Sequence, residues 1–532
     1  MDKALLSLIV FFPLLGMLII GLMPGERRAA IRWMAVLFNF VTFILTMVLV
    51  SRYNAAMAAP SPSSDGYASA FSCRAPWIDR FQIEYYVACD GLSVMLVALT
   101  GLLSFLAVFA AWRIEKGTKG FFLMYQLLVC GMMGVFLAHD LFLFYVFWEV
   151  MLLPMYFLIG VWGGPRKEYA AIKFFLFTLA GSVLMLLAML AIYFQYAGQP
   201  GARPFDIPWL ISQQPFAGNG LTQQLVWWAF FIGFAIKIPM FPFHTWLPDA
   251  HVEAPTAISV ILAGVLLKMG GYGMLRICWP MFHDTTIGAT AGWRTMDIVA
   301  VFGLINIIYG AFCAMAQTDF KKLVAYSSIS HMGYCLLGFA ALNREAVNGG
   351  VFQMFNHGLS SAAMFMLVGV VYERAHHREM ARMGGLGLQM PRYMALAMVC
   401  FFSSLGLPGL NGFISEVMVF LGAFKASTDI LTAPRLFTMI AAIGVVLTAA
   451  YILWCMQRVF LGPPKDEYKD FKDVNWTEAL SLTPLAALCI LFGILPNLVL
   501  KIFDGTIQHI IHVAMTGQGQ AVAQTASTTL GM

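Results

Sequence analysis

The stretch Phe234–His251, FAIKIPMFPFHTWLPDAH, decides the fold, because it places a lysine in an apolar run and then interrupts that run. Lys237 follows an apolar, helix-like segment, and Pro239, Pro242 and Pro248 come soon after it. Proline removes a backbone donor and ends or kinks a helix. Inside a membrane, backbone freed in this way is tolerated only where it is buried in protein or lines a cavity. We therefore predict a discontinuous membrane helix with a buried lysine at its break.

The composition of the whole chain agrees with a membrane protein. Of its 532 residues, 60% are apolar and only 11% are charged, against roughly 25% charged in a soluble domain. The net charge of +5 is spread along the chain, so no basic block indicates nucleic acid. The nine cysteines are scattered without C-x-x-C or metal spacing. We expect an all-α polytopic membrane protein with no metal site and no cofactor of its own.

The hydropathy pattern predicts about fourteen membrane spans, since about twenty apolar residues cross a bilayer. Their approximate limits are 4–23, 31–50, 88–112, 120–138, 140–162, 170–195, 225–243, 255–277, 296–316, 322–342, 350–372, 393–424, 437–459 and 480–502. The first is interpreted as a retained helix and not as a signal peptide. Connections are short except for 51–87, 196–224, 373–392 and 460–479, and the tail from about 503 reads as short and polar.

Two of these spans are interrupted, and they lie five spans apart. The seventh is cut by the prolines after Lys237, and the twelfth around Leu407–Gly412, LPGLNG. Spans 4–8 and 9–13 are therefore interpreted as two five-span repeats, which an odd number of crossings makes inverted. Paired broken helices in corresponding positions indicate the ion site of a transporter. The predicted divisions are 1–112, 113–277 (first repeat), 278–460 (second repeat) and 461–532.

The distribution of positive charge predicts the orientation. With the N-terminus outside, the cytoplasmic connections carry 19 of the 32 Lys and Arg residues and the opposite side carries 11. Because Lys and Arg accumulate in cytoplasmic loops, we expect both termini on the periplasmic side of a bacterial inner membrane.

Six ionisable side chains lie inside the apolar spans, where a charge near mid-bilayer costs roughly 2.5–3.5 kcal/mol even on the lenient insertion scale. They are Glu149, Lys237, Lys268, His331, His357 and Glu416. An opposite charge nearby holds a buried lysine protonated, and removing that charge favours release. A Glu–Lys pair that opens and closes would therefore make a proton site that loads from one side and releases to the other.

Each of these residues also has a structural interpretation. Glu149 and Lys237 could form a static ion pair between helices. Lys268 could extend to the membrane surface, and Glu416 could cap the second half of its broken helix. The two histidines could be hydrogen-bonded core residues.

Two further histidines follow the break in the seventh span. His244 and His251 lie near Asp249 and Glu253. Their spacing of seven is not a reliable ligand pattern, so we expect them to shape a route for protons or water instead of a metal site.

Five long motifs give the chain a recognisable likeness to a known family. They are FWEVMLLPMYFLIG, KIPMFPFHTWLPDAHVEAPT, LLKMGGYGMLR, DFKKLVAYSSISHMGY and FNHGLSSAAMF. In this order they resemble the antiporter-like membrane subunits of respiratory complex I, the proton-translocating NADH–quinone oxidoreductase, from about residue 88 to 460. The Mrp-type cation/proton antiporters contain related subunits.

The resemblance implies a role for each buried charge in the first repeat. Glu149 would modulate Lys237, the first proton site, and Lys268 would be the connecting site.

In the second repeat, His331 and His357 would belong to a central hydrophilic axis and Glu416 would be the terminal site nearest release. Glutamate at this last position is implied for one complex I subunit, whereas its relatives mostly carry lysine. A subunit of an Mrp-type cation/proton antiporter is the alternative function, and glutamate in place of lysine at 416 argues against it.

The resemblance further implies a non-redox subunit. NADH oxidation and quinone reduction would take place in other chains of the enzyme. The expected partners are the other membrane-arm subunits, including the related antiporter-like ones, together with the lipid bilayer, protons and internal water.

Overall fold

The computed structural model describes residues 2–57 and 71–518, with side chains from residue 4 onward. Within these residues, 13 helices are long and apolar enough to cross a membrane. Twelve of the fourteen predicted spans are in this set, and its thirteenth member is the helix Asn497–Thr516. The seventh and twelfth predicted spans are built from shorter helices, as the sequence predicts. The fold is therefore an all-α polytopic membrane protein, with two small β-hairpins added.

The chain begins with three spans and an antiparallel hairpin. These elements are α1 (Asp2–Leu22), α2 (Arg28–Met57), β1 (Ser72–Ile78), β2 (Ile83–Ala88) and α3 (Gly91–Ala110). The side chain of Asp90 caps α3 by accepting a hydrogen bond from Ser93 N at 2.9 Å. Residues 58–70 of the predicted connection 51–87 lie outside the described residues.

The first five-span unit contains several interrupted helices. Its elements are α4 (Thr118–Leu137), α5 (Leu141–Val150), α6 (Leu152–Trp162), α7 (Lys167–Tyr196), α8 (Ile207–Gln213), α9 (Gly220–Lys237), α10 (Trp246–Glu253), α11 (Thr256–Ile261), α12 (Leu267–Gly273) and α13 (Trp279–Met281). Helices α5 and α6 make one span, which is broken at Met151. Helices α11–α13 make another, joined by π-helical turns at Leu262–Leu266 and Met274–Cys278.

The second unit repeats the five-span plan after a short linking segment. The link contains α14 (His283–Ile287), β3 (Ala289–Thr290) and β4 (Trp293–Arg294). The unit contains α15 (Thr295–Met315), α16 (Phe320–Ala340), α17 (Arg344–Ala375), α18 (Leu386–Gln389), α19 (Pro391–Leu405), α20 (Asn411–Phe424) and α21 (Pro434–Val459). The chain then continues into α22 (Trp476–Ile494) and α23 (Asn497–Thr516). Because each unit crosses the membrane five times, the two are inverted relative to each other.

The spans that carry buried charges occupy the centre of the molecule. All residues in the apolar windows of α17 and of the α11–α13 span are buried, and 94% of those in α16. By contrast, only 33% of the windows of α2 and α21 are buried. The central charges are therefore surrounded by protein, and the outer helices present their apolar faces outward.

The structure predicted for the chain after residue 480 is wrong. The sequence reads as a single span over 480–502 followed by a short polar tail, but α22 stops before Pro496 and α23 begins at Asn497. A buried stripe on α23, which includes Val499, Phe503 and Ile507, has the spacing of an amphipathic helix. The continuous apolar character of residues 480–500 hid the change of direction. Residues 519–532 of the tail lie outside the described residues.

Helix α23 lies along one face of the helix bundle and does not cross it. Thr506 Oγ1 accepts a hydrogen bond from Gly91 N, and Asp504 pairs with Arg344 at 2.6 Å. Near the helix end, His283 Nδ1 lies 2.9 Å from Ala514 O. Because successive spans cross the membrane in opposite directions, these three contact points lie on the same side of the membrane. Helix α23 therefore packs across the helix ends on that side.

Candidate functional site

The break after α9 is stabilised by one asparagine from the second unit. Asn306 Oδ1 accepts a hydrogen bond from Phe241 N at 2.8 Å, and its Nδ2 donates to Pro239 O at 3.2 Å. Trp246 Nε1 donates to Ile236 O at 2.9 Å. Backbone groups freed by the prolines are thus paired inside protein, as an interruption within a membrane requires. The role of Asn306 is not predicted by the sequence, in which its only signal is an amide in an apolar run.

Lys237 ends α9 with its ammonium group among aromatic rings. Its Nζ lies 5.2 Å from the ring centroid of Trp148 and 5.4 Å from that of Phe174. The side chain is buried, and Nζ has no hydrogen-bond partner in the part of the chain that the structure describes. The cation is therefore held by ring faces and is left without a fixed donor–acceptor contact.

Glu149 lies close to Lys237 but does not contact it. It stands at the end of α5, next to the helix break at Met151, and its Oε1 has no hydrogen-bond partner among the described residues. No ion pair within 4.0 Å joins the two side chains in residues 4–57 and 71–518, although the charge of Glu149 is close enough to act on Lys237. The static ion pair is thus absent here, and the pair is open.

Lys268 lies in α12, between the two π-helical turns of its span. The side chain is 0% exposed. Its Nζ donates to Ala263 O and lies 2.7 Å from His357 Nδ1. The alternative that Lys268 extends to the membrane surface is therefore wrong. These π turns, which occur often at functional sites, are not predicted by the sequence.

The helices that carry the two lysines pack closely. A Cβ atom built on Gly270 would lie 2.5 Å from Phe234 O and 2.8 Å from Ile238 N. Only a glycine allows α12 to approach the end of α9 this closely, which brings the segments around Lys237 and Lys268 together. No hydrogen bond joins the two lysines in the described chain.

His331, His357 and Glu416 come together at the second broken helix. The ring centroids of His331 and His357 are 5.7 Å apart. His331 Nδ1 lies 3.6 Å from Glu416 Oε1, and its Nε2 lies 2.9 Å from Ser404 Oγ. The first turn of α20 has no side-chain cap, so Glu416 faces His331 and does not cap its own helix.

Small polar side chains line the break between α19 and α20. Asn356 Nδ2 donates to Asn411 O at 2.9 Å, and Asn411 Nδ2 donates to Asn356 Oδ1 at 3.0 Å. Ser415 Oγ donates to Gln353 Oε1 at 2.5 Å. A cavity of about 10 Å³ is lined by Gln353, Asn356, the two histidines and Glu416 among others, and its volume is close to the minimum for one water. These amides and hydroxyls are not among the predicted site residues, and their only signal in the sequence is the spacing of polar residues four positions apart in apolar helices.

The ionisable side chains that follow the first break lie in different environments: the two carboxylates are paired, and the two histidines contact aromatic rings. Asp249 pairs with Lys173 at 2.8 Å, and Glu253 Oε2 accepts from Arg166 N at 3.0 Å. His244 lies 5.1 Å, centroid to centroid, from the ring of Tyr309. His251 is fully buried elsewhere, against Phe365.

The ionisable side chains of the site lie next to one another over only part of its length. Lys268 and His357 are in direct contact, and His331 and Glu416 follow beside one small polar cavity. Lys237 and Glu149 form a separate open pair at the first break. Among the described residues, no three His, Cys, Asp or Glu side chains come together as they would around a metal ion.

Comparison with known proteins gives consistent similarities. Residues 138–448 match the family model described as NADH:quinone oxidoreductase/Mrp antiporter, TM. The NADH-quinone oxidoreductase subunit M of Rhodobacter capsulatus is 40% identical over 536 residues, which cover 98% of this chain and 99% of that protein. The subunit M of Rickettsia felis is 38% identical, covering 96% of this chain and 99% of that protein.

Solved structures show the same relationship. A chain of respiratory complex I from Thermus thermophilus with bound NADH superposes with a TM-score of 0.79 and 28% identity, covering 96% of this chain and 98% of that chain. A chain of the Mrp complex from Dietzia sp. DQ12-45-1b gives a TM-score of 0.76 and 20% identity, covering 96% and 99%. At that identity, the second likeness is one of fold alone.

Proposed function

Since this chain belongs to the family of membrane subunits shared by NADH:quinone oxidoreductase and Mrp antiporters, we propose that it translocates protons in the membrane arm of a respiratory NADH-quinone oxidoreductase. The observation that carries this proposal is the buried contact between Lys268 and His357, which continues to His331 and Glu416. The 40% identity to subunit M of Rhodobacter capsulatus favours complex I over an Mrp antiporter, as does glutamate at 416.

The open pair of Glu149 and Lys237 would be the switch that starts transfer. Moving one charge against the membrane potential requires roughly 2.3 kcal/mol per 100 mV. Two unit charges 4 Å apart attract by about 4 kcal/mol at an effective dielectric constant near 20. Closing and opening this pair is therefore of the right magnitude to load and release one proton at Lys237.

From Lys237 the proton would move through the centre of the molecule. The Lys268 ammonium would give a proton to His357 Nδ1, leaving a neutral amine and an imidazolium. His357 Nε2, which has no hydrogen-bond partner in the described chain, would then release its proton through one water in the small cavity to His331. Glu416, 3.6 Å from His331, would receive it last.

The remaining assignments follow from the same proposal. The chain would carry no redox site, and other subunits would oxidise NADH and reduce quinone. It would sit in a bacterial inner membrane with both termini periplasmic, next to related antiporter-like subunits. The divisions at residues 112, 277 and 460 would separate its two repeats from the flanking helices.

The test of this function is Lys237→Met in inverted membrane vesicles, with complex assembly confirmed. We expect the rates of NADH–quinone electron transfer and of acidification both to fall at least about tenfold. This corresponds to an activation free energy higher by ~1.4 kcal/mol. NADH oxidation by an artificial acceptor should survive. The matched control is Lys425→Met, since Lys425 is exposed. Wild-type rates in the Lys237 variant would contradict the proposal and favour a packing role for this lysine.

One observation favours the Mrp-type alternative, namely the fold that this chain shares with a chain of the Mrp complex. Deleting the gene separates the two functions. Loss of membrane NADH oxidation supports the complex I assignment, whereas sodium or alkaline sensitivity alone supports the antiporter.

A further inference from the structure

The helix bundle contains an apolar groove that the proposed proton transfer does not use. Its volume is about 250 Å³, and helices α2, α3, α17, α22 and α23 form its walls. The lining is apolar apart from one exposed amide, that of Asn54. Met47 and Leu498, which are also exposed, belong to the same lining. The groove therefore opens sideways, toward the apolar surface that the outer helices present to the bilayer.

The groove extends over the depth of one leaflet of the membrane. On α2 its lining begins at Phe43, in the middle of the helix, and ends at Asn54, near the end of the helix. Over these residues the helix rises by about 16 Å, and half of a hydrocarbon core about 30 Å thick measures about 15 Å. On α3 the lining likewise runs from Met95, near the start of the helix, to Leu102 in its middle. One acyl chain of a phospholipid covers the same depth.

A lysine stands at the outer end of the groove. Lys501 is exposed on α23, the helix that lies along this side of the bundle. It shares a helix face with the lining residues Leu498 and Ile502, since positions three and four apart on a helix are neighbours. Asp504, the only acidic residue of α23, pairs with Arg344 at 2.6 Å. The charge of Lys501 is therefore not neutralised by its own helix, and it favours an anionic group at the mouth of the groove.

The chemistry of the lining suits a hydrocarbon chain better than a polypeptide. An extended polypeptide would bring an N–H and a C=O group with almost every residue, and each of these is costly when it is unpaired in an apolar environment. The lining offers a single amide as their partner. An acyl chain has no such groups, and the bilayer supplies it at high concentration. A neighbouring subunit lying over the opening would keep lipid out, and this is the alternative that the experiment must separate.

We propose that this groove binds one acyl chain of an anionic phospholipid, with the lipid phosphate at the end marked by Lys501 and Asn54. The chain fills the space between α2, α3 and α22 in the leaflet on the side of α23. The Lys501 ammonium pairs with the phosphate, and the Asn54 amide donates a hydrogen bond to a phosphate or ester oxygen. This lipid site goes beyond the proposed proton translocation and does not depend on it.

The test uses phospholipids that carry a photoreactive diazirine in the acyl chain, in liposomes that contain the whole purified complex. One probe is phosphatidylglycerol, which is anionic, and the other is phosphatidylcholine, which has no net charge. Mass spectrometry then identifies the peptides that carry lipid. We expect attachment to residues 95–102 of α3 and 488–492 of α22. Phosphatidylglycerol should be favoured about fivefold, since a lysine near the membrane surface attracts anionic lipid by about that factor.

Two outcomes of this experiment would overturn the inference. Absence of both lipids from these segments would show that protein covers the groove. Equal attachment of the two lipids would show that the site does not recognise an anionic headgroup.

A variant that fills the groove tests its location. Ala98→Phe places a ring in the groove, and Ala442→Phe makes the same change on an exposed face of α21. Attachment to residues 488–492, which neither substitution alters, should be lost only in the Ala98→Phe complex. Equal attachment in the two assembled variants would refute the groove as the binding site.

A second pair of variants tests the headgroup, and it decides the question if Ala98→Phe fails to assemble. Lys501→Gln removes the exposed charge at the groove, and Lys425→Gln removes an exposed charge at the end of α20. The preference for phosphatidylglycerol should disappear only in the Lys501→Gln complex, and a preference kept there would overturn the inference. Because attachment is measured without turnover, its failure is distinguishable from a failure of the proposed function.

Discussion

Lys237 and Lys268 are the same residue type in two different environments. Lys237 rests among ring faces without a hydrogen bond in the described chain, while Lys268 is fixed by Ala263 O and His357. A lysine without fixed partners responds most to a moving charge, which suits the position next to Glu149. A lysine in contact with an imidazole suits direct proton transfer.

Replacing Lys268 by methionine tests the second role. The side chain keeps a similar length but loses its proton, and it leaves His357 Nδ1 and Ala263 O without their partner. We expect the rate of acidification to fall at least about tenfold, which corresponds to an activation free energy higher by ~1.4 kcal/mol. The rate is measured in inverted vesicles, with Lys425→Met as the control. Full acidification in an assembled Lys268→Met complex would show that His357 receives its proton elsewhere.

At the scale of single residues, the sequence reveals the buried charges but not the roles of the buried amides. Charges such as Lys268 and Glu416 are conspicuous because an ionisable group in an apolar run is costly. Asn306, Asn356 and Asn411 cost less to bury, and whether an amide faces a helix break or a neighbouring helix depends on packing. Their roles therefore became visible only with the fold.

Among the secondary-structure elements, α23 shows how a glycine permits docking. A Cβ on residue 91 would lie 2.1 Å from Ile502 O and 2.7 Å from Phe503 Cα, both backbone atoms. Gly91→Ala should therefore push α23 away and break the hydrogen bond from Gly91 N to Thr506. Overpacking of this kind costs about 1–3 kcal/mol. We expect faster hydrogen–deuterium exchange across residues 497–516 of the assembled complex.

Gly505→Ala is the matched control on the same helix. An added Cβ there meets nothing within 4 Å, and alanine stabilises a helix by about 1 kcal/mol relative to glycine. Exchange in this variant should be unchanged or slower. Unaltered exchange in Gly91→Ala would show that α23 is held by other contacts.

The interrupted helices were easier to predict than α23. The prolines after Lys237 and the LPGLNG segment break a helix through local chemistry, and Gly406 and Gly409 adopt φ values of 81° and 92° at the second break. The π turns around Lys268 have no such signature. They arise in a span whose apolar window is completely buried, where packing overrides the local preference.

Orientation belongs to the scale of the whole molecule and can be tested with a natural cysteine. Cys73 lies partly exposed in β1, in the connection that an N-terminus outside places on the periplasmic side. A membrane-impermeant maleimide should label it in spheroplasts and not in inverted vesicles, with Cys73→Ser as the control. Labelling only in inverted vesicles would reverse the assignment, because the fourteen spans put both termini on the side of this hairpin.

The sequence by itself determined the membrane character, the spans before the C-terminal helices, the two breaks and the identity of the buried charges. Each of these depends on the cost of placing a side chain or a free backbone group in an apolar environment, which is a local property. Only the tertiary structure decided that Lys268 meets His357, 89 residues away, that Glu149 and Lys237 stand apart, and that α23 runs along one face. Those features depend on how distant helices pack, and close packing between helices is set by many residues together.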